Sequence, residues 1–514
     1  MKTATEITKA HPAGERTAPR EAGLAVETFG GRIHVEWDPQ AAVTPLGQLP
    51  FFIEFLKSAQ LFEPWVEECP LQYQSPNAPA KRDVLGTILL SVLAGHWRYA
   101  HIAAMRCDSV NPPLLAMQKV LSEDSVRRAF RHAPEPACGQ WQQRHLLRAL
   151  EPLLYAAWIL DVDTTLKPLY GHQEGALVGY NPLKRGRPSH VYHTYFMAQT
   201  RLVLDVEVQP GNQTAAHYTS PGLFARLDGL PPAARPRLLR GDVAFGEQPV
   251  MEQAAARRQP YLFKLRLKQR NRRCAEELFA LAPACDAGQG WEAAEGRWRL
   301  SGWTRERRVI ALRRPRAPAQ SGAASEDSAQ CVLPLEPLPK GASVYEYAVL
   351  VTRWEDPIVR VAQRYRDRGD AENPYDELKN QWGWNGFTTR DLQRCQIMAR
   401  HVALLYNWWS LFVRLAIPER HAEAVTRRPL LLQAVAKQTT HAGQTRLSIT
   451  SMHGEAHALQ RLLASVHRFL GWLRTSAEQL DWRERWRIVL SRIFTWLLRG
   501  TLLTAPPKAV ANAT

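Results

Sequence analysis

The sequence predicts an α/β protein in which a strand-bearing core lies between two mainly helical regions. Two apolar runs that are typical of buried strands, residues 158–160 and 238–239, each end close to acidic residues. Strand-like and helix-like segments alternate between these runs, as they do in α/β folds. Long apolar segments with helical periodicity flank the core. The 514 residues give room for about three or four domains and a large core.

The first 150 residues are predicted to form a tail and a helical region. Residues 1–30 are polar and are predicted to be disordered, and residues 31–150 mix apolar runs with turn residues in a mainly helical pattern. Ser122, followed by two acids, is a favoured helix start. The helix that it begins carries three basic residues: Arg127, Arg128 and Arg131. On the sequence alone, an ordinary amphipathic surface helix is the simplest interpretation of this segment.

The core is predicted over residues 151–260 and 348–420, and its strands end in candidate functional acids. Asp161 and Asp163 are two residues apart on the first strand, so their side chains point the same way and repel each other unless a cation lies between them. The second strand ends in Gly241-Asp242. An acid at a strand end is held rigidly and faces a crevice. The alternative for Asp242 is a purely structural role, because Gly-Asp pairs are common in turns and Asp commonly caps helices.

Four residues in the segment YRDRGDAENPYDELK have the spacing of one helical face: Tyr365, Arg368, Glu372 and Lys379. On one continuous helix they fall within an arc of about 60°. They form either a site that grips a phosphodiester or a solvated face with ion pairs. Pro374 disfavours a continuous helix, which weakens the argument for Lys379 in particular. The neighbouring acids are predicted to lie on a solvated face: Asp370, Asp376 and Glu377.

Net charge indicates a polyanionic partner. The chain carries 66 Lys and Arg against 49 Asp and Glu, a net charge of +17 with a pI of about 9.8. Residues 256–316 hold 16 basic residues against six acids, so this segment accounts for a net charge of +10 out of +17 for the whole chain. With a polyanion as partner, the helix after Ser122 becomes a candidate for reading DNA. The loop between residues 171 and 190 contains three more basic residues that either follow a DNA backbone or lie on a solvated turn: Lys184, Arg185 and Arg187.

The remaining composition predicts a cytoplasmic protein without membrane spans. The longest strongly apolar stretch, Val84–Ala94, is shorter than the ~20 residues that a membrane helix needs. Seven cysteines are an odd number and form no CxxC pair, which is typical of reduced thiols. Residues 261–347 are predicted to form a basic, β-rich insertion with a flexible loop, and residues 421–514 a helical region that suits dimerisation.

Taken together, these motifs resemble DDE transposases of bacterial insertion sequences. The resemblance rests on Asp163-Thr164-Thr165, on Gly241-Asp242 and on the Tyr-x2-Arg-x3-Glu-x6-Lys spacing, and it covers residues 156–407. It is to the insertion-sequence-4-like superfamily, and the segments YGHQEGALVGYNP and RDRGDAENPYDELK are most similar to the insertion-sequence-1380 family. The acids are 79 and 130 residues apart, which suits a core with an inserted domain. The resemblance implies an RNase H-like catalytic core interrupted by the β-rich insertion.

The same resemblance implies a set of site residues. Asp163, Asp242 and Glu372 would bind two Mg²⁺ ions, for which Mn²⁺ substitutes, and Asp161 is the alternative first acid. Tyr365, Arg368 and Lys379 would contact DNA phosphates. In related enzymes the insertion stacks a base on an aromatic ring, and four residues are candidates for that role, although each is also a reasonable core aromatic: Tyr347, Trp354, Trp298 and Trp303.

The implied function is transposition. Such an enzyme binds the terminal inverted repeats of its element and the target as double-stranded DNA, acts as a homodimer in a synaptic complex, and cuts and joins DNA strands. It would be found in the bacterial cytoplasm, associated with the nucleoid. Two alternatives remain open at this point: an RNase H-like nuclease of repair or recombination, and a catalytically inactive DNA-binding derivative.

Overall fold

The computed structural model describes residues 24–503, apart from residues 74, 182–183, 214, 316–344, 419–420 and 451–453. The chain divides into two compact units, residues 1–42 and residues 43–514. The first unit contains an antiparallel hairpin of β1 (Leu24–Thr28) and β2 (Gly31–Val35). The prediction of a disordered tail up to residue 30 is therefore wrong for residues 24–30. Its physical reason is the alternation of apolar residues, which pairs Leu24 with Val35 and Val26 with Ile33.

Helices form the first part of the second unit, as predicted, but they begin only at Leu49. A short strand, β3 (Val43–Thr44), precedes them. Ser122 caps α5 as expected, because its hydroxyl accepts a hydrogen bond from the Ser125 amide at 3.3 Å. The helices are α1 (Leu49–Ser58), α2 (Phe62–Glu67), α3 (Lys81–Leu93), α4 (Asn111–Leu114), α5 (Glu123–Ala129) and α6 (Glu135–Leu154).

A ten-stranded mixed sheet forms the centre of the described residues in the second unit. Its strand order is β10-β11-β12-β13-β9-β8-β4-β6-β5, and β7 also pairs with β6. β4, β8 and β9 run parallel to one another, and the other pairs are antiparallel. The strands are β4 (Ile159–Pro168), β5 (Leu177–Val178), β6 (Pro188–Met197), β7 (Leu202–Pro210), β8 (Leu238–Gly241), β9 (Tyr261–Lys264), β10 (Cys285–Gly288), β11 (Trp291–Trp298), β12 (Arg307–Pro315) and β13 (Tyr345–Thr352).

Residues 261–347 do not form a separate sheet. β10 to β13 extend the sheet that carries the candidate acids, because β13 pairs with β9. The segment is rich in strands, as predicted, and it also contains a helix. The predicted flexible loop lies outside the described residues. The helices that connect these strands are α7 (Ala215–Asp228), α8 (Gln248–Ala256) and α9 (Gln269–Leu281).

After β13 the chain forms α10 (Ile358–Arg366), a 3₁₀ turn (Asp367–Ala371), α11 (Glu372–Asn380) and α12 (Leu392–Ala416). Nearly every residue of α12 from Ile397 onward is buried, so this helix runs through the interior. Asp391 caps it by accepting a hydrogen bond from the Arg394 amide at 2.8 Å.

The C-terminal region is helical, as predicted, except for one hairpin. β14 (Ala436–His441) and β15 (Gln444–Ile449) form a three-stranded sheet with β3. The helices are α13 (Ala424–Leu431), α14 (Ala456–Ser476), α15 (Trp482–Ile493) and α16 (Thr495–Leu498). No helix in the described ranges is long and apolar enough to cross a membrane. Six cysteines lie in these ranges, and all of them are free thiols.

The two faces of the central sheet pack against different cores. Alternate residues such as Leu160, Val162 and Phe263 belong to the main core. Ile159, Leu238 and their neighbours on the other face form a smaller core with the buried side of α10. Asp161 and Asp163 alternate in register with Ile159, so they project from the face that α10 covers.

Candidate active site

Two of the predicted acids lie side by side on neighbouring central strands of the sheet. β4 and β8 are parallel, and Val162 is opposite Gly241. Asp163 is the next residue on β4 and Asp242 follows the last residue of β8, so both carboxylates lie where β8 ends beside the middle of β4. The carboxyl end of a parallel strand is where α/β sheets bind ligands.

Asp163 is a half-buried carboxylate with two defined partners. Its Oδ1 accepts a hydrogen bond from the Thr164 amide at 2.7 Å, and its Oδ2 accepts one from Nη2 of Arg368 at 2.6 Å. Burial raises the pKa of Asp163 to about 6; Arg368 opposes this rise and the nearby Asp242 adds to it. The site therefore holds two carboxylates close together and attracts positive charge.

Asp161 has a different environment. Both of its oxygens accept hydrogen bonds from Arg240, each at 2.6 Å, and both side chains are only 3% exposed. The same guanidinium also donates to the backbone carbonyl of Arg364. Because the bidentate pair of Asp161 is almost fully buried, whereas the Asp163 side chain is 22% exposed, the geometry favours Asp163 as the acid that can take a ligand.

The four spaced residues do not share one helix, so the arc of about 60° that a continuous helix would give is wrong. Tyr365 lies in the last turn of α10, Arg368 lies in the 3₁₀ turn, and Glu372 and Lys379 lie on α11. The helix restarts at Glu372, which places Pro374 in its first turn, where a backbone N–H has no partner within the helix. The Glu372 side chain lies outside the described residues.

The other three members of the quartet still reach the acid-bearing strand or its carboxylates. Lys379 donates to the Thr165 hydroxyl at 3.2 Å, two residues beyond Asp163 on β4, and burial lowers its pKa. Burial disfavours the charged form of Arg368, but Asp163 and Asp242 outweigh it and hold the guanidinium pKa above its ordinary value. Burial also raises the pKa of Tyr365 to about 12, with Arg368 opposing and both acids adding to the rise. Tyr365 therefore keeps its proton near neutral pH.

A pair of hydroxyl groups connects α11 with the strands behind the acids. Thr194 on β6 is opposite Asp163, and its hydroxyl donates to the Asp163 carbonyl at 3.0 Å. That hydroxyl is also hydrogen-bonded to the Tyr375 hydroxyl, and both side chains are buried. Tyr375 lies three residues after Glu372. Sequence reasoning missed both residues, because only the sheet register reveals that Thr194 lies beside Asp163.

Comparison with known families assigns the chain. A sequence model of the family described as "Transposase DDE domain group 1" matches residues 81–470, which is more than half of the chain. The chain belongs to this transposase family. No curated protein matches it. Among solved structures, it is similar to one described as the cryo-EM structure of a piggyBac transposase synaptic complex with hairpin DNA, with 11% sequence identity, a TM-score of 0.38, and coverage of 88% of this chain and 87% of that chain.

Family membership identifies the transposase as a DNA-cutting and DNA-joining enzyme of a kind that generally uses divalent metal ions. Within the described residues, no group of three or more His, Cys, Asp or Glu side chains is arranged to hold a metal ion. Asp163 and Asp242 supply oxygen ligands, the type that Mg²⁺ and Mn²⁺ take. Their close approach, and the guanidinium of Arg368 at 2.6 Å from Asp163, show that this pair attracts a cation. The donor set therefore fits a hard divalent ion.

The basic loop before β6 surrounds an exposed tyrosine of the transposase. Nζ of Lys184 donates to the Tyr170 hydroxyl at 2.5 Å, and the Arg187 guanidinium lies 4.7 Å from the centre of the same ring. Arg185 is exposed in this loop. Tyr170 is 69% exposed. Two of the three predicted basic residues, Lys184 and Arg187, thus lie beside an aromatic side chain that sequence reasoning did not select.

The four predicted stacking residues lie in two directions along the strands from a row of paired residues next to the acids. Val162, Gly241, Phe263 and Val351 are consecutive partners across the strands, and the acids lie one residue beyond this row. Tyr347 is on the acid side of the row, and Arg272 and Phe279 lie against its ring. The other three lie beyond the row in the opposite direction along the strands: Trp298, Trp303 and Trp354. Trp303 is also buried.

Glu377 corrects the prediction of a solvated face. It is 2% exposed, and its Oε1 accepts hydrogen bonds from the Trp382 indole and the Ala424 amide, each at 3.0 Å. Nε2 of His421 lies 2.9 Å from its other oxygen. Asp376 is exposed, as predicted. Glu377 therefore joins α11 to the start of α13, a role that its local sequence does not reveal.

Proposed function

We propose that this transposase binds the terminal inverted repeats of an insertion sequence and moves the element by metal-dependent strand cleavage and strand transfer. The observation that carries the proposal is the pairing of Asp163 on β4 with Asp242 directly after the parallel strand β8, with Arg368 bound to Asp163. The helix that begins at Glu372 packs on the same region through Tyr375 and Thr194. The proposal includes membership of the insertion-sequence-4-like superfamily, most like the insertion-sequence-1380 family.

In this proposal Asp163, Asp242 and Glu372 hold two Mg²⁺ ions, for which Mn²⁺ substitutes. When bound, two such ions supply an activated oxygen nucleophile and stabilise the leaving oxygen of an in-line displacement. Water attacks first and frees a 3′ hydroxyl at the end of the element, and that hydroxyl then attacks target DNA. Asp161 stays paired with Arg240 and keeps the strand in place.

Three basic or hydroxyl groups orient the DNA. Lys379 is placed beside Thr165 to contact a phosphate next to the cleaved bond. Tyr365 is protonated near neutral pH and donates a hydrogen bond to a phosphate oxygen. Arg368 pairs with Asp163 in the absence of DNA, and it turns to the phosphate when cations neutralise the acids.

The regional roles follow the same proposal. Residues 151–260 and 348–420 form an RNase H-like core, and residues 261–347 form an inserted segment that holds the DNA end, with Tyr347 as its stacking residue. Residues 31–150 bind the inverted repeat, with Arg185 and its basic neighbours along the backbone. Residues 421–514 join two protomers in a synaptic homodimer on double-stranded DNA in the bacterial nucleoid.

The test is a cleavage assay with purified protein, Mg²⁺ and a duplex that carries the end of the element. Asp163→Asn, Asp242→Asn and Glu372→Gln should each lower cleavage by at least a thousandfold, because each removes a charged ligand from the ions. Their affinity for the same duplex should change less than threefold. Normal cleavage by any one of these variants would remove that residue from the site.

A further inference from the structure

We propose that a cavity at the far end of β4 binds an unpaired nucleobase of the DNA strand that is held at the acids. The cavity has a volume of 670 Å³ and lies between the end of β4, the start of α5 and the segments around Trp97 and Gly386. That volume suits a small ligand the size of a nucleotide. This inference rests on the proposed function, because it takes the DNA end as the substrate.

Two exposed aromatic rings line the cavity, and an arginine guanidinium packs against each of them. Trp97 is 45% exposed, and the Arg98 guanidinium lies 4.6 Å from its ring centre. Tyr170 is 69% exposed, with Arg187 stacked on it at 4.7 Å. Both rings line the cavity. Exposed aromatic rings beside arginines are the usual means of holding single-stranded nucleic acid, since the ring stacks on a base and the cation attracts the backbone.

The polar groups of the cavity fit the edge of a base better than a phosphate. Oε1 of Gln173 is buried and has no hydrogen-bond partner in the described part of the chain. A buried acceptor of this kind needs a donor, and an amino or imino group of a base provides one. Glu123 and Asp124 also line the cavity, and within the described residues Asp124 is paired with Arg127 whereas Glu123 forms no ion pair. Carboxylates repel a phosphate but accept hydrogen bonds from base amino groups.

The path from the acids to the cavity runs along one β-strand, β4. Pro168, which borders the cavity, is five residues after Asp163 on β4, and this spans about 17 Å at ~3.3 Å per residue. Along the axis of a DNA duplex, that distance corresponds to about five nucleotide steps of ~3.4 Å. Lys379 contacts Thr165 between the two points. A DNA strand that leaves the acids along β4 therefore meets a phosphate contact and then the cavity.

The wall of the cavity is held by fixed backbone contacts. The Phe387 amide donates to the Trp97 carbonyl at 2.8 Å, and Nζ of the buried Lys167 donates to the Gly386 carbonyl. A Cβ at Gly386 would lie 1.6 Å from the Trp97 carbonyl oxygen, so only glycine allows this approach. These contacts fix the backbone at Trp97, so its ring needs no backbone rearrangement to receive a ligand.

The test is photocrosslinking in the absence of divalent ions, so that the DNA stays intact. A 5-iodouracil is placed singly at each of the eight positions on either side of the cleaved bond, in a duplex that carries the element's end. Irradiation should join Trp97 or Tyr170 to one or two adjacent positions about five nucleotides from that bond, as mass spectrometry would identify. Trp97→Ala and Tyr170→Ala should each bind the duplex about tenfold more weakly, and Trp97→Phe and Tyr170→Phe should restore most of that affinity.

The matched control is Phe29→Ala, which removes a fully exposed ring in the turn between β1 and β2 and should leave the affinity unchanged. Crosslinks that avoid Trp97 and Tyr170, together with unchanged affinity of their alanine variants, would overturn the inference. A lower salt dependence in Arg98→Gln without any crosslink would identify a phosphate site instead, and would also overturn it. If the wild type binds and cuts the end in Mg²⁺ but gives no crosslink, only this inference fails. If it neither binds nor cuts the end, the proposed function fails.

Discussion

Asp161 and Asp163 have the same residue type, strand and face, but opposite electrostatic environments. Arg240 binds both oxygens of Asp161 inside the protein, whereas Arg368 binds only one oxygen of Asp163, which is more exposed and lies beside Asp242. Breaking a buried ion pair leaves the remaining charge without compensation, which is costly. Removing the charge of Asp163 leaves Arg368 close to Asp242, so the loss of stability is smaller.

These environments predict opposite results for two variants. Asp161→Asn should lower the free energy of unfolding by about 3 kcal/mol, measured by chemical denaturation, because Arg240 loses its partner. The folded Asp161→Asn protein should still cut DNA. Asp163→Asn should lose cleavage with a smaller change in stability. If Asp161→Asn instead kept full stability and lost cleavage, Asp161 would be the first acid.

The sequence predicted this pair of acids but could not choose between them from the residues. Two carboxylates two positions apart on a strand must share a face, which is a local rule. The choice depends on Arg240, which is 79 residues away and meets Asp161 only through the parallel register of β4 and β8. No local pattern encodes that register.

At the scale of elements, the segment from α10 to α11, residues 358–380, bends where it packs over the acids, and this segment is called the arm below. The spacing of Tyr365, Arg368, Glu372 and Lys379 predicted one helix, but the chain tightens into a 3₁₀ turn from Asp367 to Ala371. Pro374 was the one local sign of a break. The bend turns Arg368 toward Asp163 and still lets Lys379 reach Thr165. The direction of a bend depends on what the arm packs against, so sequence spacing alone could not give it.

The hydroxyl pair of Tyr375 and Thr194 predicts how this arm is positioned. Tyr375→Phe removes one buried hydrogen bond and leaves the packing of the ring on Phe196 intact. It should lower the cleavage rate about tenfold at saturating DNA, because a small displacement of α11 moves Glu372 away from the other acids. Affinity for DNA should not change, which separates a positioning role from a binding role.

The matched variants are at Thr194. Thr194→Ser keeps the hydroxyl and should cut DNA at nearly the wild-type rate, whereas Thr194→Val should resemble Tyr375→Phe. The Mg²⁺ concentration for half-maximal rate should rise in the two slow variants, which a general loss of stability would not cause. Equal rates for Thr194→Val and the wild type would exclude the positioning role.

At the scale of the whole molecule, one sheet carries both the acids and most of the basic segment. The sequence predicted separate core and inserted regions from their composition, and it correctly expected strands in both. It could not show that β13 pairs with β9, since this pairing joins residues nearly ninety positions apart. For the same reason Tyr347 and Trp354 looked equivalent in sequence, although β13 places them on opposite sides of the acid row.

Three buried histidines predict how the whole fold responds to acid. Their exposures are 2%, 0% and 1%, and burial lowers the pKa of His145 and His193 to about 4 and that of His401 to about 3. In the unfolded chain these groups titrate near the ordinary value of about 6.5. Below that pH the unfolded state binds more protons than the folded state. These histidines therefore do not reduce the free energy of unfolding above pH 6.5, and they reduce it progressively as the pH falls.

His401 allows one of these contributions to be measured alone. It lies against the rings of Trp65, Trp141 and Phe130, and neither of its ring nitrogens has a hydrogen-bond partner among the residues that the structure describes. His401→Phe fits this aromatic site and cannot bind a proton. Between pH 7 and pH 4.5, the free energy of unfolding of the wild type should fall by about 3 kcal/mol more than that of His401→Phe. Urea denaturation across this range measures the difference, and the exposed His457→Phe is the control that should follow the wild type. Parallel curves for His401→Phe and the wild type would mean that His401 binds its proton at the same pH in the folded protein as in the unfolded chain.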